Sequence, residues 1–321
     1  MNRFAIAICT FALALPVWAQ TFPRAGQPIR VLIGFAAGGT TDIQARVVAP
    51  KLAELLGVPV LVENKPGAST MIAAQEVARA APDGHTILYT ANGAFVQNPH
   101  TLVNVPYDPF RDFTPISLGA RGPQLLLLHV SVPAVNLKEL VAWGKANPGK
   151  LNIASFGTGS SSHIYAEMLM RHTGLDMVHV PYKGAGDAAK DLIGGTVQLM
   201  FDPATSALKN ASSGRLRILG VAAETRSRFL PDVPTITEQG FKGMDLTGWV
   251  AWYGPAGMPP GTVQKLNAAL VKVLGLPEVK EAFDRGAYEA ASSSPEELTA
   301  LTRDFHERWG KIVRDLGMKP Q

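Results

Sequence analysis

Ile29-Arg-Val-Leu-Ile-Gly-Phe-Ala-Ala-Gly-Gly-Thr-Thr-Asp42 is the stretch on which the reading of the fold turns. Ile29 to Phe35 reads as a buried strand, Gly38-Gly39 turns the chain, and Thr41 to Leu56 reads as a helix with Ile43, Val47, Leu52 and Leu55 on one face. Val58 to Val62 reads as the next strand and ends in Asn64-Lys-Pro-Gly67. The same order recurs over Leu151–Gly184: a strand, Phe156-Gly-Thr-Gly-Ser-Ser-Ser-His163, a helix closed by Thr173-Gly174, a strand, and Tyr182-Lys-Gly184. Any α/β protein reuses such a unit. Both turns here combine glycines with hydroxyls, which favours a pseudo-repeat with one copy in each of two lobes.

Working outward, further strands are expected near Thr86–Ala91, Leu125–Val130, Asn152–Ser155, Met177–Val180, Val197–Phe201, Leu216–Ala222 and Trp249–Tyr253. Their alternation with helical periodicity argues for α/β layers and mainly parallel strands. Asn136 is placed to cap a helix that stops near Asn147-Pro148-Gly149, and Pro260 suits a first helical turn. Ser294-Pro-Glu-Glu297 is a capping box for a last helix running to about Leu316.

Arg3, the apolar run Phe4 to Leu15 and Val17-Trp18-Ala19 read as a secretion leader over residues 1–19, cut after Ala19. That run is too short to cross a bilayer. The single cysteine, Cys9, lies inside the leader, and Gln20 stands where a lipid-anchored chain would need a cysteine. The mature chain therefore has no thiol, which suits an oxidising compartment such as the periplasm. Loss of Arg3 takes the formal net charge from +4 to +3, and no Lys/Arg run focuses it. Nucleic-acid binding, which needs a clustered basic face, is not expected. About 300 mature residues exceed one comfortable core, so two lobes are expected.

The two glycine-rich turns carry the chemistry. A helix start leaves N–H groups unpaired and is partly positive. Glycines let that backbone approach a ligand and hydroxyls add donors, so an anion is held without a charged side chain. Gly38-Gly39-Thr40-Thr41 and Gly157-Thr158-Gly159-Ser160-Ser161 both fit. Each also has a structural reading: the glycines allow a tight turn, and Thr41 or Asp42 caps a helix. Asp42 is read as an orienting cap, since it would repel an anion. Phosphate-loop and dinucleotide motifs are missing, and the seven histidines show no metal spacing. A secreted serine hydrolase using Ser160 and His163 is the alternative, but no Gly-x-Ser-x-Gly elbow surrounds them. Asp83, Asp202 and Asp232 sit beside Pro or Gly and read as turn residues.

These residues carry a resemblance to the Bug (TctC-like) family, the substrate-binding component of tripartite tricarboxylate transporters. The first stretch above, Val62-Glu-Asn-Lys-Pro-Gly-Ala68, Pro82-Asp-Gly-His-Thr86, Gly157–His163, His179-Val-Pro-Tyr-Lys-Gly184 and Leu230-Pro-Asp-Val-Pro-Thr235 match in order. The resemblance implies a type II periplasmic binding protein fold: two α/β lobes joined by a hinge, with the ligand cleft between them. It implies a carrier of a small carboxylate (tri-, di- or aromatic) for inner-membrane transporter subunits, not an enzyme. Neither a cofactor nor a metal is expected, and a monomer is.

The implied contacts are Phe35, Ala37, Gly38, Gly39, Thr40, Thr41 and Asp42 from the first lobe. The second lobe adds Gly157, Thr158, Gly159, Ser160, Ser161, His163, Tyr182, Lys183, Gly184, Ala185 and Asp202. Ser69, Thr70 and Asn92 are weaker candidates for a second carboxyl, and Phe35, Tyr182 and Trp249 could wall an aromatic ligand. Residues 21–123 with 236–321 are assigned to lobe 1 and 124–235 to lobe 2. Two departures stand near the expected cleft: Ser69-Thr70-Met71 where the family has glycines, and Gly186-Asp187 where a proline is common.

Overall fold

The β-branched run that opens the described chain lies at the centre of a parallel set. In the computed structural model, which describes residues 22–321, β1 (Ile29–Ile33) pairs with β2 (Val60–Asn64) on one side and β3 (Thr86–Ala91) on the other. The leader lies outside the described residues. α1 (Thr40–Leu56) joins β1 to β2, and α2 (Met71–Ala78) leads into β3. Two short helices, α3 (Gly93–Val96) and α4 (Asn98–Thr101), precede β4 (Phe113–Gly122).

The chain then crosses at Pro123 into a second sheet. Its elements are β5 (Gln124–His129), α5 (Leu137–Ala146), β6 (Leu151–Ser155), α6 (Ser161–Thr173), β7 (Met177–Pro181), α7 (Ala185–Gly194), β8 (Leu199–Pro203), α8 (Ala204–Ala211) and β9 (Leu216–Ala222). It returns through β10 (Gly248–Pro255), α9 (Pro260–Leu274), α10 (Pro277–Asp284), β11 (Glu289–Ala290) and α11 (Pro295–Asp315).

The strand orders are β11-β4-β10-β3-β1-β2 and β7-β6-β8-β5-β9. Read inward from β2 and from β7, both sheets place three parallel strands and then an antiparallel one. That antiparallel strand, β10 or β5, is the one made on arrival from the other sheet. The internal repeat is thus a repeat of topology. The sheets are mixed and not mainly parallel: among the described residues four strand pairings are parallel and five antiparallel. Each crossing enters its sheet at the end where the parallel strands finish, so it can only run back along them.

Alternation along β5 sends Leu126 and Leu128 into one apolar core and Leu125 and Leu127 into another, and each core runs through both sheets. The face of α1 differs from the expected one. Ala45, Val48, Ala49 and Leu52 are buried, whereas Ile43 and Leu55 are exposed. Polar anchors set the rotation: Asp42 and Gln44 are buried on this side, and Gln44 accepts the Tyr89 hydroxyl at 3.0 Å.

β4 was invisible to periodicity because it carries Pro115 and two glycines. It tolerates the proline at a register irregularity against β10, between Trp252 and Tyr253. Asn136 and Ser294 cap α5 and α11 as expected, the latter with both halves of the capping box.

Candidate functional site

Both glycine-rich turns follow the last residue of a central parallel strand, β1 or β6. Register shows that Gly122 and Asn92 lie at that same end of the first sheet, and Gln124 and Pro203 at that end of the second. Because only Pro123 separates Gly122 from Gln124, the strand ends bearing the turns face one another, the usual place for a ligand in open α/β sheets. The second turn also touches α4 here: a Cβ on Gly159 would lie 3.0 Å from Thr101 Cβ and Oγ1.

In the first turn, Phe35, Ala37 and Gly38 are exposed, Gly39 and Thr40 are half-buried, and Thr41 is buried. Gly39 is the N-cap of α1, and no side chain caps the helix. Asp42 is only 3% exposed and shapes the turn from beneath. It accepts Gly38 N–H at 2.8 Å, Arg46 Nε at 2.9 Å and Asn64 Nδ2 at 3.0 Å, and Asn64 also donates to Phe35 O. Burial alone would raise its carboxyl, but Arg46, Gly38 and Asn64 together hold it below the usual carboxylate range. Asp42 is thus engaged as an orienting group.

The second turn spends more of its hydroxyls internally. Ser160 caps α6 and donates to Gly157 O at 2.6 Å, and Ser162 Oγ accepts Phe156 N–H at 2.9 Å. His163 Nδ1 accepts Gly159 N–H at 3.0 Å, leaving its Nε2–H for Glu167, 3.3 Å away. This bonding serves the turn and α6 and makes no serine–histidine relay. Ser161 and Thr158 remain half-buried at the strand ends, with Ser161 Oγ 3.4 Å from Gln124 Nε2.

His163, Glu167 and His179 bring ligating atoms within 4.8 Å of one another. They do not suit a metal. The Gly159 N–H leaves the proton on the His163 nitrogen that an ion would need, and the imidazoles stack at 4.0 Å and 15°, so their lone pairs do not converge.

The remaining candidates divide. Lys183 and Ala185 are exposed, Gly184 is the N-cap of α7 without a side-chain cap, and Tyr182 donates its hydroxyl to Asp191 at 2.6 Å. Trp249 is a core residue against Phe305, which leaves Phe35 as the one exposed ring of the three. Asn92 is half-buried beside Trp249, to whose carbonyl its N–H is bonded. Ser69 and Thr70 have φ of 51° and 75°, where glycine would sit without strain. Thr70 also presses on the end of β1: a Cβ on Gly34 would meet Thr70 Cβ at 2.5 Å.

Asp202 is no turn residue. It lies in β8, fully buried, and accepts Ser206 Oγ and, at 3.0 Å, Asn210 Nδ2, both from α8. Strand pairing to Leu125 extends β8 through the Asp-Pro that suggested a turn. With both oxygens engaged in fastening α8, the carboxyl faces α8.

Burial pushes Asp202 up to about 6, and the two donors only partly oppose it. A folded value above the unfolded one means that the folded state keeps a proton which the unfolded state loses. Stability should therefore fall by on the order of 2–3 kcal/mol as pH rises from about 4 to 6. Melting curves compared with Asp202→Asn check this, because the comparison cancels His179, which acts with the opposite sign. Parallel pH profiles for the two proteins would contradict it.

Sequence reading missed three polar residues near these strand ends: Thr101 packs on Gly159, and Gln97 Nε2 and Gln124 Oε1 are buried without a partner, as are Thr70 Oγ1 and Trp249 Nε1 of two residues already singled out. Lone polar residues between apolar ones give no periodic signal.

Comparison with known proteins agrees with this geometry. The family model described as tripartite tricarboxylate transporter family receptor matches residues 44–318. A UPF0065 protein of Bordetella pertussis is 36% identical over 319 residues, spanning 98% of this chain and 97% of its own. The structure of the periplasmic binding protein BugD superposes with a TM-score of 0.83 at 34% identity, covering 93% of this chain and all of BugD. R. palustris Rpa4515, solved with adipate, gives 0.86 at 30% identity, covering 94% of this chain and all of the other. The fold is that of a two-lobed periplasmic binding protein, its relatives are binding proteins and not enzymes, and the chain belongs to the tripartite tricarboxylate transporter receptor family.

Proposed function

We propose that the protein is exported by the leader over residues 1–19 and, in the periplasm, captures a small carboxylate as a monomer for inner-membrane transporter subunits. Residues 21–123 with 236–321 form one lobe and 124–235 the other. The carboxylate sits between Gly38–Thr41 and Gly157–Ser161. The observation that carries this reading is that α1, which begins at Gly38–Thr41, and α7, which begins beside the Gly157–Ser161 turn at the same strand ends, both start at a glycine with no capping side chain, whereas Ser160 is spent on capping α6 and leaves Thr158 and Ser161 as the hydroxyls of that turn. Uncapped N–H groups at facing strand ends suit an anion.

Thr70 Oγ1 and Gln97 Nε2 could serve a second carboxyl. Asn98, next to Gln97, donates to Ser69 O at 2.8 Å, which keeps the two near each other. The relative with adipate, a dicarboxylate, supports that arrangement.

A thermal-shift screen of mono-, di-, tri- and aromatic carboxylates tests the class. A ligand at 100 times its Kd adds about 2.7 kcal/mol to stability. Shifts with sugars or cationic amines alone would refute the carboxylate. With the best hit, Thr41→Ala and Ser161→Ala should each weaken binding by about 1 kcal/mol, roughly five-fold, in calorimetry. Unchanged affinity in both variants would sink the site.

A further inference from the structure

We propose that His163 and His179 are positioning residues that make the second glycine turn proton-sensitive, so that the protein holds its ligand at neutral pH and releases it in acid. The inference rests on the carboxylate-binding reading above and adds a control to it.

The geometry assigns the protons. Gly159 N–H points at His163 Nδ1, so that nitrogen must be a bare acceptor. His163 Nε2 then carries the hydrogen and faces Glu167 on the next turn of α6. On the other face of the ring lies His179 from β7, stacked at 4.0 Å. His179 Nε2 bonds Ser155 Oγ of β6 at 2.7 Å, and Ser155 Oγ in turn receives Gly157 N–H at 3.3 Å. Both glycines of the turn thus hang from one imidazole pair. The titratable groups facing His163 are Glu167 from α6 and His179 from β7; β6 contributes Ser155, and α4 reaches the turn with Thr101.

The Nδ1 lone pair of His163 is the point at which a proton would break the turn's own hydrogen bond. His179 is held neutral down to about 4, by burial first and then by repulsion from His163, whereas Glu167 lies opposite His163 and stays ionised through the hydrogen bond they share. Protonated His163 has a donor at both nitrogens. Its Nδ1–H then confronts Gly159 N–H, and one of them must move. Gly159 has little room, because Thr101 closes its other side. The turn is displaced, and Thr158 and Ser161, half-buried at the strand ends, go with it.

The test uses the whole mature chain. In the ligand-free protein, NMR should show the Gly159 amide moving with the same midpoint as the His163 ring nitrogens. In His163→Asn, whose amide oxygen replaces Nδ1 as an acceptor that cannot be protonated, this titration should vanish. Calorimetry with adipate supplies the functional arm. From about pH 8 to pH 5.5 the affinity of the wild type relative to His163→Asn should fall at least ten-fold, a ratio that cancels the protonation of adipate itself. A Gly159 amide that ignores the His163 titration, or equal pH slopes for the two proteins, overturns the proposal. Failure of adipate to bind either protein at any pH counts against a dicarboxylate as the ligand and not against the switch, since the amide titration is read without ligand.

Discussion

Replacing Asp42 by asparagine is expected to lower the unfolding free energy by about 2–3 kcal/mol and to weaken ligand binding at least ten-fold. The carboxylate is nearly fully buried and is the common acceptor for Gly38 N–H, Arg46 and Asn64. Asparagine keeps the shape and one acceptor oxygen but loses the charge. Removing one partner of a buried pair typically costs 3–5 kcal/mol. Arg46 is half exposed, and water recovers part of its loss, hence the lower figure. Gly38 and the Phe35 carbonyl are tied through the same network, so the first turn loosens with it.

The pH dependence gives a second check. The folded carboxyl lies below its unfolded value, so its contribution is fully present above about pH 4 and is lost as pH falls through the folded value. The wild type's advantage over Asp42→Asn in denaturant melts should therefore disappear in strong acid. Equal stability at pH 7 would show that the network does not hold the turn.

Gly159→Ala is expected to destabilise the protein by about 2 kcal/mol and to weaken binding at least ten-fold. Gly159 has φ of +80°, a region that costs an L-residue roughly 1–2 kcal/mol. The new methyl would also sit 3.0 Å from Thr101 Cβ and Oγ1, a contact between the two sheets' units that can relax only by pushing α4 away from the turn. Gly261→Ala is the matching control. It is the second residue of α9 with nothing within 4 Å, and the substitution should be tolerated, with a gain below the roughly 0.5–1 kcal/mol of a mid-helix glycine. Thr101→Ala combined with Gly159→Ala should recover part of the loss. If it does not, the contact with Thr101 is not the cause.

Legibility followed the range of the signal. Apolar runs and period marked most of the strands, and capping chemistry marked the starts of α5 and α11, because those signals lie within a few residues. The orienting role of Asp42 was legible for the same reason, since the Gly38 N–H it accepts stands four residues away, although Gly39 and not Asp42 is the N-cap of α1. β4 was hidden, since its place depends on β10 more than 100 residues later. The departure at Ser69-Thr70 was visible as a difference, but its meaning, two non-glycine residues at positive φ, was not.

By itself the sequence determined the repeated unit of strand, glycine turn, helix and strand, and therefore the placing of both turns at the ends of parallel strands. Backbone sterics and hydrophobic period act locally, and the residues that obey them are neighbours. Tertiary structure decided that Ser160 is spent as a cap, that Asp202 fastens α8, and that His163 supports Gly159 and leans on His179. Each of these roles depends on which partner the fold brings within about 3–4 Å, and hydrogen bonds and ring contacts do not act at longer range.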